Sequence, residues 1–412
     1  MNPHTVFDQD WQALLALLPE GRHEAAQQMG ALLRKREIKH ADTLLRLALV
    51  YAWSGYSLRT TVAWAAQKQI ACLSDVALLH RLQHAEGWLG WLLFQKLAQQ
   101  TNRPPLACLP YRVRLVDATA LSQPGSQGTD WRVHLGLDLA AQAIDFLELT
   151  DQKGGESLTR FPVQEGDLLV GDRGYAHRAG LAHVVAAGGQ VLVRFAWQNL
   201  PLQQPNGTPF DLVAALQTLS QDQRGDWPVQ TAPDPKNGLP ALCGRVIARK
   251  KTAQAAEAAR RQALANAKKK GRTPDARTLL CCDYLFVFTT LPAEALDAET
   301  VLELYRFRWQ IECGFKRLKS LLDLDALRAQ EPRLCRSFLL SKLLGALLVQ
   351  EWTCSWASFS PWGAGYSAPA LAVASDPDAL SDAVPRRGRG TVFIRLGCQS
   401  QPDPSIVCRP AA

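Results

Sequence analysis

The sequence of 412 residues predicts an α/β protein with a mixed sheet at its centre, a helical region before the sheet and an inserted segment within it. Two observations predict this class. Three β-rich runs follow one another between residues 111 and 151, and strand-like and helix-like runs then alternate from residue 167 to residue 197. Because the chain is longer than one hydrophobic core usually supports, we expect two or three domains.

Composition narrows the class of protein. The chain is 47% hydrophobic and 20% charged, as is usual for globular proteins. Its formal net charge of +8 at pH 7 favours a polyanionic partner, although basic charge alone does not identify one. The ten cysteines show no CxxC or metal-ligand spacing, and no secretory leader opens the chain. We therefore expect reduced thiols and a cytoplasmic location.

The first region, residues 1–105, has the apolar periodicity of helices throughout and ends near the proline-marked stretch TNRPPLACLP at 101–110. Within it, residues 56–85 read as two amphipathic helices joined by a short turn. Such a pair predicts a helix-turn-helix that would bind DNA. An ordinary helical bundle explains the same pattern.

The mixed sheet follows from a series of β-rich runs, at 111–121, 130–140, 143–151, 167–172 and 189–197. We assign them to the first part of a core, residues 106–197. Residues 198–282 interrupt the pattern with loops rich in Gly, Pro and Gln, one strand-like run and a basic helix-like run, and are interpreted as a β-rich insertion.

The core resumes with a strand at 283–291 and continues to residue 352. Its last stretch, 337–352, contains Lys342 and Glu351 and is too short to span a bilayer, so it predicts a buried helix and no membrane partner. Residues 353–412 lack periodicity and are interpreted as an irregular tail. The abrupt change in composition there suggests a shift of reading frame.

The stretch YRFRWQIECGFKRLK predicts one continuous helix that is capped by Asp297. At 100° per residue, one narrow sector of this helix contains Tyr305, Arg308, Glu312 and Lys319. The adjacent sector is an apolar stripe of Leu304, Phe307, Ile311, Phe315, Leu318 and Leu322. The polar sector would lie at the boundary of a core, although a solvated face of charged residues explains this stretch equally well.

Two aspartates stand where predicted strands end. Asp117 lies in VRLVDAT, and Asp172 closes LLVGD and opens the turn DRGY. Taken singly, each is explained as a turn or capping residue. Together with Glu312 they could bind divalent cations, which prefer oxygen ligands and suit phosphate chemistry. Arg308 and Lys319 would then hold DNA phosphates, and Tyr305 would add a hydrogen bond.

The four polar residues of the helix have the spacing Y-(2)-R-(3)-E-(6)-K, which resembles the signature of the bacterial DDE transposases of insertion sequence family four. VRLVDAT and GDRGY resemble the blocks around the first two catalytic aspartates of that family. The resemblance covers roughly residues 40–363. It implies a ribonuclease-H-like core with a β-rich insertion before the catalytic glutamate, in agreement with the 140 residues between Asp172 and Glu312.

The resemblance also implies an activity, which is cut-and-paste transposition of an insertion sequence with Mg²⁺, two ions per site, and with Mn²⁺ as a substitute. The metal-binding and catalytic triad would be Asp117, Asp172 and Glu312. The partners would be double-stranded DNA, both terminal inverted repeats and target, and a second copy of the chain in a homodimer. The expected DNA-binding residues are Tyr305, Arg308, Lys316, Lys319 and Trp197.

The resemblance further implies a hairpin intermediate, formed when the freed 3′-OH attacks the opposite strand. Trp197 enters the set because such a hairpin requires a base to leave the stack, and an aromatic ring is the usual support for that base. A tryptophan packed at a strand end explains the same residue. Two rival functions stay open: a catalytically inactive protein that binds transposon ends and represses transposition, and a metal-dependent nuclease without strand transfer.

Overall fold

The computed structural model describes residues 11–33, 36–98, 109–126, 128–141, 143–221, 223–309, 311–312, 315, 319 and 323–357. The chain divides into two compact units. The first consists of Met1–Gln99, Gln123–Gly125 and Leu321–Ala412, and the second of Gln100–Ser122 and Ser126–Ser320.

The first unit is helical in its described part. Its helices are α1 (Trp11–Ala16), α2 (Arg22–Gln28), α3 (Ala41–Trp53), α4 (Leu58–Gln67), α5 (Asp75–His84), α6 (Glu86–Ala98) and α12 (Pro332–Ala357). Ser57 and Ser74 cap α4 and α5, since each hydroxyl accepts a backbone N–H of the first turn. The two predicted helices in 56–85 are confirmed, and their role in DNA binding stays a prediction.

Helix α12 belongs with the N-terminal helices. Residues 333–352 were predicted to belong to the second part of the core, whereas α12 packs on α3, α5 and α6 in the first unit. Two buried lysines have partners in this unit. Lys342 Nζ of α12 donates to the carbonyl of Asp323, and Lys96 Nζ of α6 lies 2.5 Å from Oε2 of Glu351 on α12. A helix that is apolar on most of its faces can pack against the apolar surface of either unit, so the periodicity of its sequence does not predict which unit contains it.

Helix α12 continues to Ala357, so the tail predicted from residue 353 begins later. Residues 358–412, with the proposed frame shift, lie outside the described residues. None of the helices in the described ranges is both long and apolar enough to cross a membrane.

The second unit is built on a mixed sheet, as predicted. Its strands are β1 (Arg112–Leu121), β2 (Trp131–Asp138), β3 (Ala143–Asp151), β4 (Asp167–Gly171), β5 (Gln190–Arg194), β6 (Leu202–Gln203), β7 (Arg224–Thr231), β8 (Cys243–Lys250) and β9 (Tyr284–Thr289). They are ordered β3-β2-β1-β4-β5-β9-β8-β7-β6. Strands β1, β4 and β5 are parallel, and the other pairs are antiparallel.

In the described part of the second unit this sheet is accompanied by α7 (Arg178–Ala186), α8 (Leu212–Gln217), α9 (Ala253–Lys269), α10 (Ala276–Cys281) and α11 (Ala298–Arg306). A single buried cluster joins β4, β5 and β9 to α7 and α8, through side chains such as Leu169, Val193, Phe288, Leu181 and Leu216. This packing fixes the ends of the central strands, where the candidate site lies.

The insertion at 198–282 extends the core sheet through β8, which pairs with β9. The predicted strand β8 and the basic helix α9 are confirmed. Strand β7 was not predicted, because Gly225 and Pro228 are typical of loops. The sheet accommodates the proline there because the neighbour of β7 on the outer side, β6, is only two residues long.

The predicted continuous helix is interrupted. Asp297 caps α11 as expected, accepting the N–H of Thr300 at 2.8 Å. The helix ends at Arg306, and the N–H groups of Phe307 and Arg308 bond to carbonyls only three residues back. This tighter turn leaves Phe307 40% exposed, whereas the predicted stripe placed it in the core. The stripe residues Leu304, Ile311 and Phe315 are buried as predicted, and Leu318 and Leu322 lie outside the described residues.

Candidate active site

Two of the predicted acids meet where β4 ends beside the middle of β1. The parallel strands β1 and β4 pair Leu115 with Val170. Two residues further along this register, Asp117 stands opposite Asp172. Because side chains in register on parallel strands leave the sheet on the same side, the pairing brings the two carboxylates together.

Each aspartate is oriented by the backbone. Oδ1 of Asp172 accepts the N–H of Gly174 at 2.8 Å and caps the short 3₁₀ helix Arg173–Tyr175. Oδ1 of Asp117 accepts the N–H of Ala118 at 2.8 Å. The capping interpretation is therefore correct for Asp172, and it occupies only one of the two oxygens.

The electrostatics of Asp117 show excess negative charge at this place. Burial and then the carboxylates of Asp172 and Glu156 raise the pKa of Asp117, whereas the Ala118 N–H and Arg308 lower it, and the net pKa is about 6. Burial and then Asp172 also raise the pKa of Glu156. These acids repel one another, so a cation bound among them would relieve the repulsion.

Arg308 joins the strand ends to the third predicted acid. Its Nη2 donates to Oε1 of Glu312 at 2.5 Å, and its Nη1 lies 3.9 Å from Oδ2 of Asp117. The guanidinium carbon lies 5.8 Å from the centroid of the Tyr305 ring. Tyr305 is only 7% exposed, so in this structure it packs beneath Arg308 and has little surface for a ligand.

The donor set fits a divalent cation in chemistry, because the carboxylates of Asp117 and Asp172 are hard oxygen ligands whose second oxygens make no hydrogen bond to the described residues. Glu312 is turned to Arg308, and its side chain is 45% exposed. Consistent with this, the described residues contain no group of three or more His, Cys, Asp or Glu side chains placed to hold a metal.

The other predicted DNA-binding residues make no contact with the acids of the site among the described residues. Lys319 is helical and half-buried, and Lys316 lies outside the described residues. The Trp197 ring packs against the core cluster, and its Nε1–H donates to Thr278 Oγ1 at 3.1 Å. The Arg277 guanidinium carbon lies 4.5 Å from the centroid of the same ring.

The structure also shows basic residues that the sequence analysis missed. Arg194 ends β5 and, one residue beyond the pair Gly171–Val193, stands opposite Asp172. Burial lowers the pKa of Arg194, and Arg173 and Arg308 lower it further. Lys251 lies near the same group, since burial and then Arg194 lower its pKa to about 8. The run VLVR, in the strand that follows α7, was the available sequence signal for Arg194.

An aromatic residue was also missed. Trp309 is 53% exposed and follows Arg308 directly in the chain. The sequence analysis passed over it because it lies in neither the polar sector nor the apolar stripe. An indole with half of its surface in solvent has a face available for another ring.

Comparison with known proteins identifies the family. Residues 109–348 match the transposase DDE domain. The chain is 39% identical over 363 residues to the InsL protein for insertion sequence element IS186A of Escherichia coli (strain K12), an alignment that covers 86% of this chain and 97% of InsL. It is also 39% identical over 364 residues to the transposase for insertion sequence element IS421 of Escherichia coli, with the same coverage.

A structural likeness is weaker. The chain aligns with a piggyBac transposase in a synaptic complex with hairpin DNA at a TM-score of 0.39 and 7% identity, covering 95% of this chain and 87% of that one. The domain match and the relatives, by contrast, span the strands and the helix that place Asp117, Asp172 and Glu312. The chain belongs to the DDE transposase family and is a metal-dependent, DNA-cleaving enzyme of the insertion-sequence type.

Proposed function

We propose that this enzyme catalyses cut-and-paste transposition of an insertion sequence of family four, with a ribonuclease-H-like core and the triad Asp117, Asp172 and Glu312. One observation carries the proposal. The carboxylates of Asp117 and Asp172 stand on adjacent parallel strands, and Arg308 links them to Glu312, since its guanidinium lies 3.9 Å from Asp117 and 2.5 Å from Glu312.

The three acids supply the ligands for Mg²⁺, with Mn²⁺ as a substitute. Two such ions would activate an attacking oxygen and stabilise a leaving oxygen, so one site would serve hydrolysis, hairpin formation and strand transfer. Arg308 prepares the site, because its contact with Glu312 holds that carboxylate near the strand ends. A DNA phosphate that binds Arg308 would release Glu312 toward the aspartates.

Basic residues around the triad would hold the DNA. Arg194 and Lys251 are half-buried cations that lie near other cations, and Arg173 is an exposed one. Bringing a phosphate among them would relieve the repulsion, which favours binding of a polyanion. Lys316 and Lys319 are proposed to extend this surface along the segment that contains Glu312. Helices α4 and α5 are proposed to bind the terminal inverted repeats.

The hairpin step requires an aromatic support for an extruded base. Trp197 stays a candidate, but a base could stack on the covered face of its ring only after Arg277 had moved. Trp309 is more accessible and adjoins Arg308. We further propose that the enzyme acts in the cytoplasm as a homodimer, because two transposon ends have to be cut and held together.

Cleavage of a labelled duplex that carries the cognate transposon end tests this proposal. With Mg²⁺ or Mn²⁺, the enzyme should release a 3′-OH and then form a hairpin, and Glu312→Ala should reduce the rate at least about 100-fold. Glu303→Ala, an exposed glutamate of α11, serves as the control and should cleave normally.

Other results would point to the rivals. Binding of the end without cleavage by the unaltered enzyme would indicate an end-binding repressor. Metal-dependent cleavage without hairpin formation or joining to target DNA would indicate a nuclease. Equal cleavage by Glu312→Ala and the unaltered enzyme would show that the triad has been assigned wrongly.

A further inference from the structure

Glu156 lies against the turn that carries Asp172. A Cβ atom built on Gly174 would stand 1.9 Å from Oε2 of Glu156 and 3.1 Å from Oδ1 of Asp172. No real Cβ is found so close to an oxygen, so the carboxylate of Glu156 takes the space that a side chain at position 174 would need. The glycine of DRGY therefore permits the approach of a second acid to Asp172.

The loop before Glu156 is held in place from several sides. Arg132 Nη1 donates to the carbonyl of Gly154 at 2.8 Å, and Arg160 Nε donates to the carbonyl of Gly155 at 2.8 Å. A Cβ on Gly154 would lie 2.1 Å from Thr150 Oγ1, so the loop also packs closely on β3. These contacts fix the position from which Glu156 extends.

The charge of Glu156 is not neutralised by the described part of the protein. No Lys, Arg or His side chain there lies within 4.0 Å of its carboxylate, and the carboxylate accepts no hydrogen bond from a described residue. Arg132 and His177 act on it only from a greater distance. A half-buried carboxylate beside two others is unfavourable unless a cation binds them together.

Tyr175 gives an independent sign of a ligand. Its side chain is fully buried, and its hydroxyl has no hydrogen-bond partner among the residues that the structure describes. The carboxylates of Asp117, Glu156 and Asp172 all act on this hydroxyl. Buried hydroxyls in native proteins are paired, so the partner of Tyr175 is expected to be an oxygen of a bound ligand or of water held among the three acids.

We propose that Glu156 is a fourth carboxylate of the metal site, placed by Gly174 to bind a divalent cation together with Asp117 and Asp172. This inference rests on the proposed metal-dependent function. Binding would draw the carboxylate of Glu156 toward the two aspartates, since no three acids of the described residues stand close enough to hold a cation as they are. Glu312 would then be a further, mobile member of the site.

Binding of Mn²⁺ to the DNA-free protein tests the inference without any measurement of activity. The dissociation constant would be measured by electron paramagnetic resonance of free Mn²⁺ for the unaltered protein, Glu156→Gln, Asp172→Asn and Glu257→Gln. Glu257 is an exposed glutamate of α9 and serves as the matched control. Glu156→Gln should raise the dissociation constant about 10-fold or more, and Glu257→Gln should not change it.

Thermal unfolding without metal separates this role from a structural one. Glu156→Gln keeps the size of the side chain and removes a repelled charge, so its melting temperature should equal or exceed that of the unaltered protein. Weak Mn²⁺ binding together with a lowered melting temperature would overturn the inference in favour of a loop-packing role.

The two proposals fail in different ways. If Asp172→Asn loses Mn²⁺ while Glu156→Gln binds it as the unaltered protein does, Glu156 is not a ligand and the proposed function stands. If Asp172→Asn also binds normally, or the unaltered protein binds no Mn²⁺, the metal site assigned to the strand ends is wrong and both proposals fall.

Discussion

The stretch over which β1 and β4 pair has charged side chains at its starting end and just beyond its far end, and the two ends differ in how those charges are paired. At the starting end, Arg114 lies 2.5 Å from Asp145 and 3.1 Å from Asp167, and its Nη1 also donates to the carbonyl of Pro162. Arg112 adds contacts to Asp138 at 2.8 Å and to Asp145 at 2.9 Å. These side chains are almost completely buried, and each acid faces a cation.

At the far end of the same strands the acids face one another. Asp172 and Glu156 raise the pKa of Asp117, Asp172 raises the pKa of Glu156, and the cation Arg308 approaches Asp117 only to 3.9 Å. Both ends contain several charged side chains, but only at the starting end does each acid have a cation as partner. The comparison teaches that the paired cluster stabilises the fold, and that the unpaired cluster is available for a ligand.

The largest expected effect belongs to the paired end. Arg114→Met should lower the free energy of unfolding by about 3–5 kcal/mol, because Asp145 and Asp167 would lose their buried partner. Urea unfolding followed by circular dichroism measures this.

Arg173→Met is the matched control at the far end, since Arg173 is exposed and makes no ion pair with the described residues. Its effect should stay within about 0.5 kcal/mol. Equal losses for the two variants would remove the distinction between the ends.

The protein is expected to lose stability in acid because of a buried histidine next to the loop that contains Glu156. His134 is fully buried below it and contacts Thr150 Oγ1 at 3.0 Å, and burial, with Arg160 and Arg132, lowers its pKa to about 4. As the pH falls from 6.5 to 4, His134 is protonated in the unfolded chain and stays neutral in the folded chain. The free energy of unfolding should therefore fall by up to about 3 kcal/mol.

Urea midpoints between pH 7 and pH 4, compared with those of His134→Gln, isolate this contribution. The difference between the two proteins should change over that interval and be constant above pH 7.5. A difference that does not vary with pH would show that His134 is not buried as a neutral side chain.

A smaller effect tests the packing at the far end. Gly174→Ala should destabilise the protein by about 1–3 kcal/mol, because the added methyl group overlaps Glu156. Glu156→Ala should remove most of that penalty in the double variant. A double-mutant cycle in urea measures the coupling, and additive effects would mean that the two residues do not touch.

The smallest effect concerns DNA affinity. Arg194→Met should leave stability almost unchanged and weaken binding of a duplex, with the slope of log K against log salt reduced by about 1. Fluorescence anisotropy at several salt concentrations measures the slope. The same substitution at Lys236, an exposed residue of the insertion, should leave the slope unaltered.

The sequence predicted most of the fold, because alternating and 3.6-residue patterns reflect local burial. Strands β1 to β5, β8 and β9, the helix α9 and the cap Asp297 all followed from such patterns. The sequence could not predict which unit α12 joins, since its apolar surface suits either. It also missed strand β7, where Pro228 and Gly225 mimic a loop, and the turn at Phe307 that ends α11.

The candidate site was predictable in part. Asp117 and Asp172 were predicted at strand ends; β4 does end just before Asp172, whereas Asp117 lies within β1, and the parallel pairing of these two strands was not predicted. Glu156 had no sequence signal, because its position depends on contacts of Gly154 and Gly174 that only the folded chain shows. Contacts between residues far apart in the sequence produce no periodic pattern in it, so they cannot be predicted from periodicity.

The central claim is that the unpaired acids at the far end do the chemistry and are not needed for the fold. Asp172→Asn tests it most directly, because asparagine retains the oxygen that caps Gly174. Cleavage of the labelled transposon-end duplex and the melting temperature would be measured together, with Asp145→Asn as the same substitution at the paired end.

The account predicts that Asp172→Asn cleaves at least about 100-fold more slowly and melts no lower than the unaltered protein, whereas Asp145→Asn melts lower. Normal cleavage by Asp172→Asn, or a loss of stability as large as that of Asp145→Asn, would contradict it.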